Sequence, residues 1–148
     1  MPWKISTTEE LTKTELITIF QERVKVFVVE QDCPYQEIDD YDLNPNVFHI
    51  FKMEENELLA YARVIDKQDY IKFGRVLVNK NHRGKRLGNE LLQKVMEFIE
   101  AEYHPQVIKI EAQAHLEHYY AAFGLRQNSD VFLEDGIPHI EMVWIRQK

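Results

Sequence analysis

Residues 76–100 read VLVNKNHRGKRLGNELLQKVMEFIE, an apolar run followed by a cationic, glycine-bearing segment and then by a helical pattern. Within residues 80–86 there is no acid, and the cations are Lys80, Arg83, Lys85 and Arg86. A glycine-bearing turn between a strand and a helix binds anions, because the first N–H groups of the helix have no intrahelical partner and the helix dipole favours negative charge. We therefore expect a phosphate or pyrophosphate site at this turn.

The composition limits the class of protein. The chain has 148 residues, is 45% hydrophobic, carries a formal net charge of -7 and contains one cysteine, Cys33. Its size and apolar content predict a single domain over residues 1–148. The negative charge argues against nucleic acid or an anionic membrane as a partner. One cysteine allows no intrachain disulfide, and the histidine spacings match no zinc pattern, so no metal is expected. The first residues lack a signal-peptide pattern, which predicts a cytoplasmic protein.

The spacing of apolar residues predicts the element order β, α, loop, β, β, β, α, β, α, β, β. Residues 8–30 show the period of an amphipathic helix with an N-cap among residues 6–8, and a second helix is expected over about residues 85–103. The strands on either side of that second helix are expected to be parallel neighbours, whereas hairpins make the other strands antiparallel. The predicted fold class is α+β, with a mixed, mostly antiparallel twisted sheet, helices on both faces and the parallel pair beside the anion site.

The loop of residues 83–88, RGKRLG, resembles the R/Q-x-x-G-x-G/A signature of the GNAT superfamily of N-acetyltransferases, whose loop amides bind the pyrophosphate of acetyl-coenzyme A. The predicted element order resembles the GNAT fold over essentially the whole chain. Nucleotide signatures such as G-x-x-x-x-G-K-[ST] and G-x-G-x-x-G do not occur. The resemblance implies acetyl-coenzyme A as cosubstrate, and the residues that it implies as contacts are Val76, Leu77, Val78, Arg83, Gly84, Lys85, Arg86, Leu87, Gly88, Asn89 and His115.

Arg86 stands where the signature has its central glycine. Only a positive φ demands glycine, so a residue with helical dihedral angles is tolerated at this position. We therefore predict a negative φ for Arg86, with a side chain that points either at a coenzyme phosphate or into solvent.

Residues 118–125, HYYAAFGL, resemble the F-Y-x-x-x-G-F segment that many GNAT enzymes carry after the fifth strand. Tyr120 stands at the position of the family tyrosine, which protonates the departing thiolate of coenzyme A, and Tyr119 stands at the phenylalanine position. A phenol suits this proton transfer because its pKa lies close to that of a thiol. The resemblance implies Tyr120 as the catalytic acid, and the alternative is that both tyrosines only pack.

Five dispersed segments resemble, in order, the ElaA-like branch of small bacterial GNAT proteins. They are VFVVEQDCPYQEIDDYD, YARV, GRVLV, EAQAHL and EDGIPHIEM, within roughly residues 20–143. This resemblance implies the fold and the cosubstrate much more sharply than it implies the acceptor.

The acceptor side is predicted from charge. An amine must lose a proton before it attacks a thioester, so its site benefits from carboxylates and from a base. Many GNAT enzymes place a glutamate in the strand before the loop, but Arg75 lies in that strand here. The substitutes are found in the acidic segment of residues 30–42 and in the last hairpin, and the candidate acceptor contacts are Glu30, Glu37, Asp39, Asp40 and His139.

Each acceptor candidate has an alternative role. Asp39 or Asp40 can pair with Arg63 or Arg75, and His139 can hydrogen-bond within its own turn.

These features together predict an acetyl-coenzyme A dependent N-acetyltransferase that acts on a primary amine by direct attack in a ternary complex. The acidic segment favours a small cationic acceptor, while a polyamine, another metabolite, an antibiotic and a protein amine stay open. The alternative function is a non-catalytic acyl-coenzyme A sensor or interaction module with the same fold. Neither nucleic acid nor a membrane is an expected partner, and a homodimer is left open.

Overall fold

The computed structural model describes residues 2–147, which form an eight-stranded sheet with helices on both faces. The predicted order of elements is confirmed, with a short additional strand, β6. The helices are α1 (Lys13–Val24), α2 (Leu87–Tyr103) and α3 (Glu117–Ala121). The strands are β1 (Lys4–Thr7), β2 (Val47–Glu54), β3 (Glu57–Asp66), β4 (Ile71–Val78), β5 (Val107–Gln113), β6 (Arg126–Gln127), β7 (Phe132–Glu134) and β8 (Ile137–Ile145).

The strand order in the sheet is β1-β2-β3-β4-β5-β8-β6, and β7 pairs with β8. β4 and β5 are parallel, as predicted, while the other pairs among the described residues are antiparallel. The parallel pairing joins Ile71 to Ile108 and Lys72 to Lys109 and then stops, although both strands continue. The two strands therefore diverge and leave an opening in the middle of the sheet.

β4 is irregular on its other edge. Tyr61 of β3 pairs with Leu77 and Arg63 pairs with Gly74, so the two residues Arg75 and Val76 lie opposite the single residue between them in β3. Arg75 has a φ of 50°. An extra residue in one strand is a β-bulge, which bends that strand and redirects its side chains. The bulge lies beside the opening between β4 and β5.

Two apolar cores lie on opposite faces of the sheet. On one face α2 buries Leu91, Leu92, Val95 and Ile99 against β2, β3, β4, β5 and β8. On the other face Ile19 of α1 packs with Phe51, Tyr61 and Leu77. Full burial of each aliphatic side chain contributes about 1.5–3 kcal/mol, so both helices are held mainly by these contacts. Within residues 2–147, no helix combines the length and the apolar character needed to cross a membrane.

The first helix differs from the prediction. Residues 8–30 were expected to form one helix, but they divide into a 3-10 turn (Thr8–Glu10), α1 and a π-helical segment (Lys25–Glu30). The cause at the N-terminus is reciprocal capping by Thr12 and Glu15. The Thr12 hydroxyl oxygen accepts a hydrogen bond from the Glu15 N–H at 3.1 Å, and Glu15 Oε1 accepts one from the Thr12 N–H at 2.9 Å.

Candidate active site

A cavity of about 850 Å³ lies at the opening between β4 and β5. Side chains alternate along β5, so Ile110 and Ala112 join the core on the α2 face, whereas Glu111 and Gln113 face the opposite side. All four residues line the cavity. The cavity is therefore reached from both faces of the sheet, and its volume is that of a small-molecule site.

The loop before α2 forms one end of this cavity. The first intrahelical hydrogen bond runs from the Glu90 N–H to the Arg86 carbonyl oxygen at 3.2 Å. The N–H groups of Leu87, Gly88 and Asn89 thus have no intrahelical acceptor, and these three residues line the cavity. The N-terminus of α2 therefore combines the positive end of the helix dipole with unpaired N–H donors, and this arrangement binds phosphate groups.

The predicted negative φ at Arg86 is wrong. Arg86 has a φ of 64° and is the N-cap residue of α2, and Gly84 two residues earlier has a φ of 83°. The chain turns from the 3-10 turn Lys80–His82 into α2 through this left-handed residue. A left-handed conformation costs a non-glycine residue about 1–2 kcal/mol. Glycine adopts this conformation without strain, whereas Arg86 adopts it at that cost.

The side chain of Arg83 contacts two residues outside the loop, Val78 and Glu30. Its Nε donates to the Val78 carbonyl oxygen at 3.0 Å, and its Nη1 lies 2.9 Å from Glu30 Oε2. Arg83 and Arg86 line the cavity, whereas Lys85 is exposed and does not. Of the residues predicted to contact the cosubstrate, all except Lys85 line the cavity.

Tyr120 reaches the cavity from the α2 face and is 7% exposed. Among the described residues, its hydroxyl has no hydrogen-bond partner. Burial, together with the neighbouring Tyr119, raises the pKa of Tyr120 well above its usual value. The phenol therefore stays protonated near neutral pH and is available as a proton donor.

Tyr119 covers the start of α2. A Cβ atom built on Gly88 would lie 2.5 Å from the Tyr119 hydroxyl oxygen. The absence of a side chain at Gly88 is what allows Tyr119 to approach the helix N-terminus so closely.

A family model of the GNAT acetyltransferase domain matches residues 13–146. The chain belongs to the GNAT family of acetyltransferases. It is accordingly an acyltransferase.

Two relatives extend this GNAT assignment to nearly the full length. Protein ElaA of Escherichia coli strain K12 is 39% identical over 143 residues, which cover 95% of this chain and 94% of ElaA. The crystal structure of Escherichia coli ElaA superimposes with a TM-score of 0.93 at 38% identity, covering 97% of this chain and 99% of that one. A crystal structure from Pseudomonas aeruginosa, described as an acyl-CoA N-acyltransferase, gives a TM-score of 0.92 at 37% identity, covering 97% and 98%.

A more distant structure is that of an aminoglycoside 6'-N-acetyltransferase complexed with coenzyme A. Its TM-score is 0.71 at 12% identity, with 96% of each chain covered. At this low identity the comparison shows a shared fold only. In the distant protein the fold holds a coenzyme A molecule.

Only the first part of the acidic segment of this GNAT chain lines the cavity: Glu30, Gln31, Cys33 and Tyr35 do, whereas residues 36–42 do not. Of the predicted acceptor contacts, Glu30 and His139 line the cavity, but Glu37, Asp39 and Asp40 do not. Glu37 is 3% exposed and is enclosed by arginines. The alternative role of Asp39 is the one observed, since it pairs with Arg63 at 2.7 Å and with Arg75 at 3.3 Å.

These pairs are part of a larger arginine–carboxylate network, which consists of Arg23, Arg63, Arg75, Glu37, Asp39 and Asp42. Arg23 lies at its centre, with Nε 2.7 Å from Glu37 Oε2 and Nη1 2.7 Å from Asp42 Oδ1. Arg75 Nε lies 2.8 Å from the same oxygen of Glu37. Three arginines balance three carboxylates, so the network offers a cationic ligand no net charge. It instead fixes the segment of residues 37–42 against the bulge of β4.

Two further carboxylates that line the cavity, Glu111 and Glu134, are not among the predicted acceptor contacts. They lie in the cavity together with His139. The pairing of Gln113 with His139 and of Glu134 with Ile137 brings them to one face. Alternation along β5 and β7 was the signal that could have found them. Within residues 2–147, no group of acids, histidines and cysteine is arranged to hold a metal ion.

Proposed function

We propose that residues 1–148 form one GNAT domain that transfers an acetyl group from acetyl-coenzyme A to a primary amine by direct attack in a ternary complex. The observation that carries this proposal is the cavity at the opening between β4 and β5, because it joins the anion-binding loop, Tyr120 and the opposite face of the sheet. Such an opening lets the cosubstrate and the acceptor enter from different faces and meet inside the sheet.

In this proposal the cosubstrate binds to the loop and to β4. The coenzyme phosphates would accept hydrogen bonds from the N–H groups of residues 87–89 and from Arg83 and Arg86. Within residues 2–147, β4 pairs with β5 only at Ile71 and Lys72, so its edge along residues 73–78 is free on that side. The pantetheine arm can hydrogen-bond to this edge as a short strand would, and His115 lines the same cavity. The Val78 amide is our candidate donor to the thioester carbonyl oxygen.

The transfer balances as follows. The acceptor ammonium loses one proton, and the neutral nitrogen attacks the carbonyl carbon, so that a C–N bond forms. The C–S bond then breaks and its electron pair leaves with sulfur. Tyr120 donates its proton to this thiolate, and the second proton of the nitrogen reprotonates Tyr120 through water. The products are the acetylated amine, coenzyme A thiol and one proton released to solvent.

A thiol-release assay with acetyl-coenzyme A and a panel of amines tests this function. We expect turnover of a cationic amine and a fall in kcat of about 100-fold or more in Tyr120→Phe, since general acid catalysis contributes about 10²–10⁴. The matched control is Tyr119→Phe, which removes the neighbouring phenol and should keep kcat within about threefold. Initial rates that vary with both substrates as intersecting lines would support a ternary complex.

The sensor alternative gives a different result in the same experiments. A sensor would bind coenzyme A in calorimetry but release no thiol with any amine, and Tyr120→Phe would change nothing. Glu30, which lines the cavity at its mouth, remains a proposed acceptor contact, and a homodimer remains a proposal that sedimentation can test.

A further inference from the structure

Three titratable side chains meet on the sheet face opposite Tyr120. We call Glu111 of β5, Glu134 of β7 and His139 of β8 the opposite-face cluster. All three line the cavity. Their strands are joined through β8, which pairs with β5 at Gln113–His139 and with β7 at Glu134–Ile137. The cluster is thus built on paired strands and not on a free loop.

The orientation of His139 follows from its hydrogen bond. His139 Nδ1 lies 2.7 Å from the Ile137 carbonyl oxygen, which can only accept, so Nδ1 carries the hydrogen. The neutral ring then has its lone pair on Nε2, which lies 3.5 Å from Glu134 Oε2. His139 can therefore accept a proton from the Glu134 carboxyl or, once protonated, pair with its carboxylate.

The two carboxyl groups remain open to a ligand. The side chains of Glu111 and Glu134 are 38% and 44% exposed, whereas Glu37 and Asp42 of the arginine–carboxylate network are 2% exposed. The charged groups that face the pair are Lys72 of β4, whose Nζ lies 3.1 Å from Glu111 Oε1, then His139, and Asp135 next to Glu134. Glu141, opposite Glu111 on β8, is balanced by Lys109, whose Nζ lies 3.9 Å away. Two glutamates and an aspartate outweigh one lysine, so this wall attracts a cation.

We propose that the opposite-face cluster binds the ammonium group of the acceptor and that Glu134, backed by His139, takes the proton that this group must lose before attack. This inference rests on the proposed transferase function and names the acceptor class as primary alkylammonium. The step is a proton transfer: one N–H bond of the ammonium breaks, an O–H bond forms on Glu134, and the lone pair left on nitrogen is the nucleophile. His139 Nε2 then passes the proton to solvent.

The protonation behaviour of the pair fits this role. Burial, together with the hydrogen bond shared with Glu111, raises the pKa of Glu134 to about 7, and the same hydrogen bond holds the pKa of Glu111 below its usual value. The pair therefore carries one proton below about pH 7 and none above it. Because the base must be ionised, transfer should increase as the pH rises through 7.

The experiment uses the full chain, acetyl-coenzyme A and three probe amines, namely propane-1,3-diamine, spermidine and lysine. We expect Glu134→Gln to lower kcat/KM for the amine about 100-fold at pH 8 and to abolish the rise of the rate near pH 7. Glu111→Gln should raise KM for the amine about tenfold with a smaller change in kcat. The affinity for coenzyme A should stay within twofold in both variants.

The matched control is Glu141→Gln. Glu141 pairs with Glu111 in the sheet and faces the same side, but it does not line the cavity. It should keep the wild-type rate and pH profile. A wild-type profile in Glu134→Gln would overturn the proposal while leaving the transferase intact.

Binding separates the two proposals. Propane-1,3-diamine is titrated calorimetrically into the protein saturated with coenzyme A. If binding is weakened about tenfold in both glutamate variants but no amine is acetylated, the cluster stands as an ammonium site and the transferase proposal fails. If the wild-type complex does not bind the diamine, or if both variants bind it unchanged, the cluster proposal is overturned.

Discussion

Glu30 and Arg83 face each other across the mouth of the cavity, with Glu30 Oε2 2.9 Å from Arg83 Nη1. Glu30 ends the π-helical segment that continues α1, and Arg83 begins the loop that leads into α2. A coenzyme phosphate that binds Arg83 must therefore compete with the Glu30 carboxylate. The residue proposed for the acceptor side and the residue proposed for the phosphates are thus linked before either ligand is present.

Because of this competition, substitutions of Glu30 and of Arg83 should change the affinity for coenzyme A in opposite directions. Glu30→Gln should tighten coenzyme A binding up to about fivefold, because an exposed ion pair of about 0.2–1 kcal/mol no longer has to be broken. Arg83→Gln should weaken binding at least about tenfold, since a hydrogen bond to a charged group contributes about 1.5–3 kcal/mol. Isothermal titration at low and high salt measures both, and both effects should shrink with salt. The control is Glu97→Gln, which alters the Lys94–Glu97 pair on α2. If Glu30→Gln bound coenzyme A more weakly than the wild type, the proposed competition would be contradicted.

Strain and charge at Arg86 can be separated by two substitutions. Arg86→Gly and Arg86→Ala both remove the cation, but only glycine adopts a φ of 64° without penalty. In urea unfolding we expect the glycine variant to be more stable than the alanine variant by about 1 kcal/mol. If Arg86 contacts a phosphate, both variants should lose the same affinity for coenzyme A. Equal stability of the two variants would show that the residue is not left-handed in solution.

The order of elements and the parallel pair could be predicted because periodicity and strand–helix–strand connections are local properties of the chain. The φ of Arg86 could not, because it depends on how the turn between β4 and α2 closes in space. The pairing of Glu37 with two arginines could not be predicted either, because Glu37 lies 14 residues from Arg23 and 38 from Arg75 in the sequence. Those contacts form only when α1 packs against the sheet, so the sequence did not show that the carboxylates of the acidic segment are paired with arginines. Glu134 was not predicted for the same reason, since the residues that it contacts come from other strands.

The arginine–carboxylate network makes a prediction about stability. Arg23 is 0% exposed, and Arg23→Leu would leave Glu37 and Asp42 buried beside an apolar side chain. Removing one partner of a buried ion pair costs about 3–5 kcal/mol. We expect a loss of that size in the free energy of unfolding, measured with urea. The control is Lys4→Met, because the pair of the largely exposed Lys4 with Glu15 should contribute at most about 1 kcal/mol. A loss below 1 kcal/mol in Arg23→Leu would refute the assigned role of the network.

His49 is held neutral by the direction of its hydrogen bonds. The Thr8 hydroxyl donates its single hydrogen to the Asp42 carbonyl oxygen, so it must accept from His49 Nε2, which lies 2.8 Å away. His49 Nδ1 is then left to accept from the Tyr61 hydroxyl at 2.5 Å. Burial lowers the pKa of His49 to about 4, against the opposing charge of Asp42 and with the help of the nearby arginines.

This neutral histidine makes the stability of the fold sensitive to pH. In the unfolded chain His49 binds a proton near pH 6.5, whereas in the folded protein it does so only near pH 4. Its contribution is therefore fully present above pH 6.5 and is lost as the pH falls toward 4, by a total of about 3 kcal/mol. Glu134 acts in the opposite direction over the same range, because its pKa of about 7 in the folded protein lies above its unfolded value. The slope that belongs to His49 is therefore the difference between the wild type and a His49 variant in urea unfolding between pH 4 and 8.

The variant His49→Gln isolates the effect, since glutamine is neutral at every pH and can still hydrogen-bond. Between pH 7.5 and 4 the variant should lose about 3 kcal/mol less stability than the wild type, and Glu134 contributes equally to both curves. Asp42 acts at lower pH in both proteins: burial raises its pKa, but the hydrogen bond and charge of Arg23 outweigh this and lower it, so its contribution is lost only in stronger acid. Parallel curves for the two proteins would show that His49 is not buried in its neutral form.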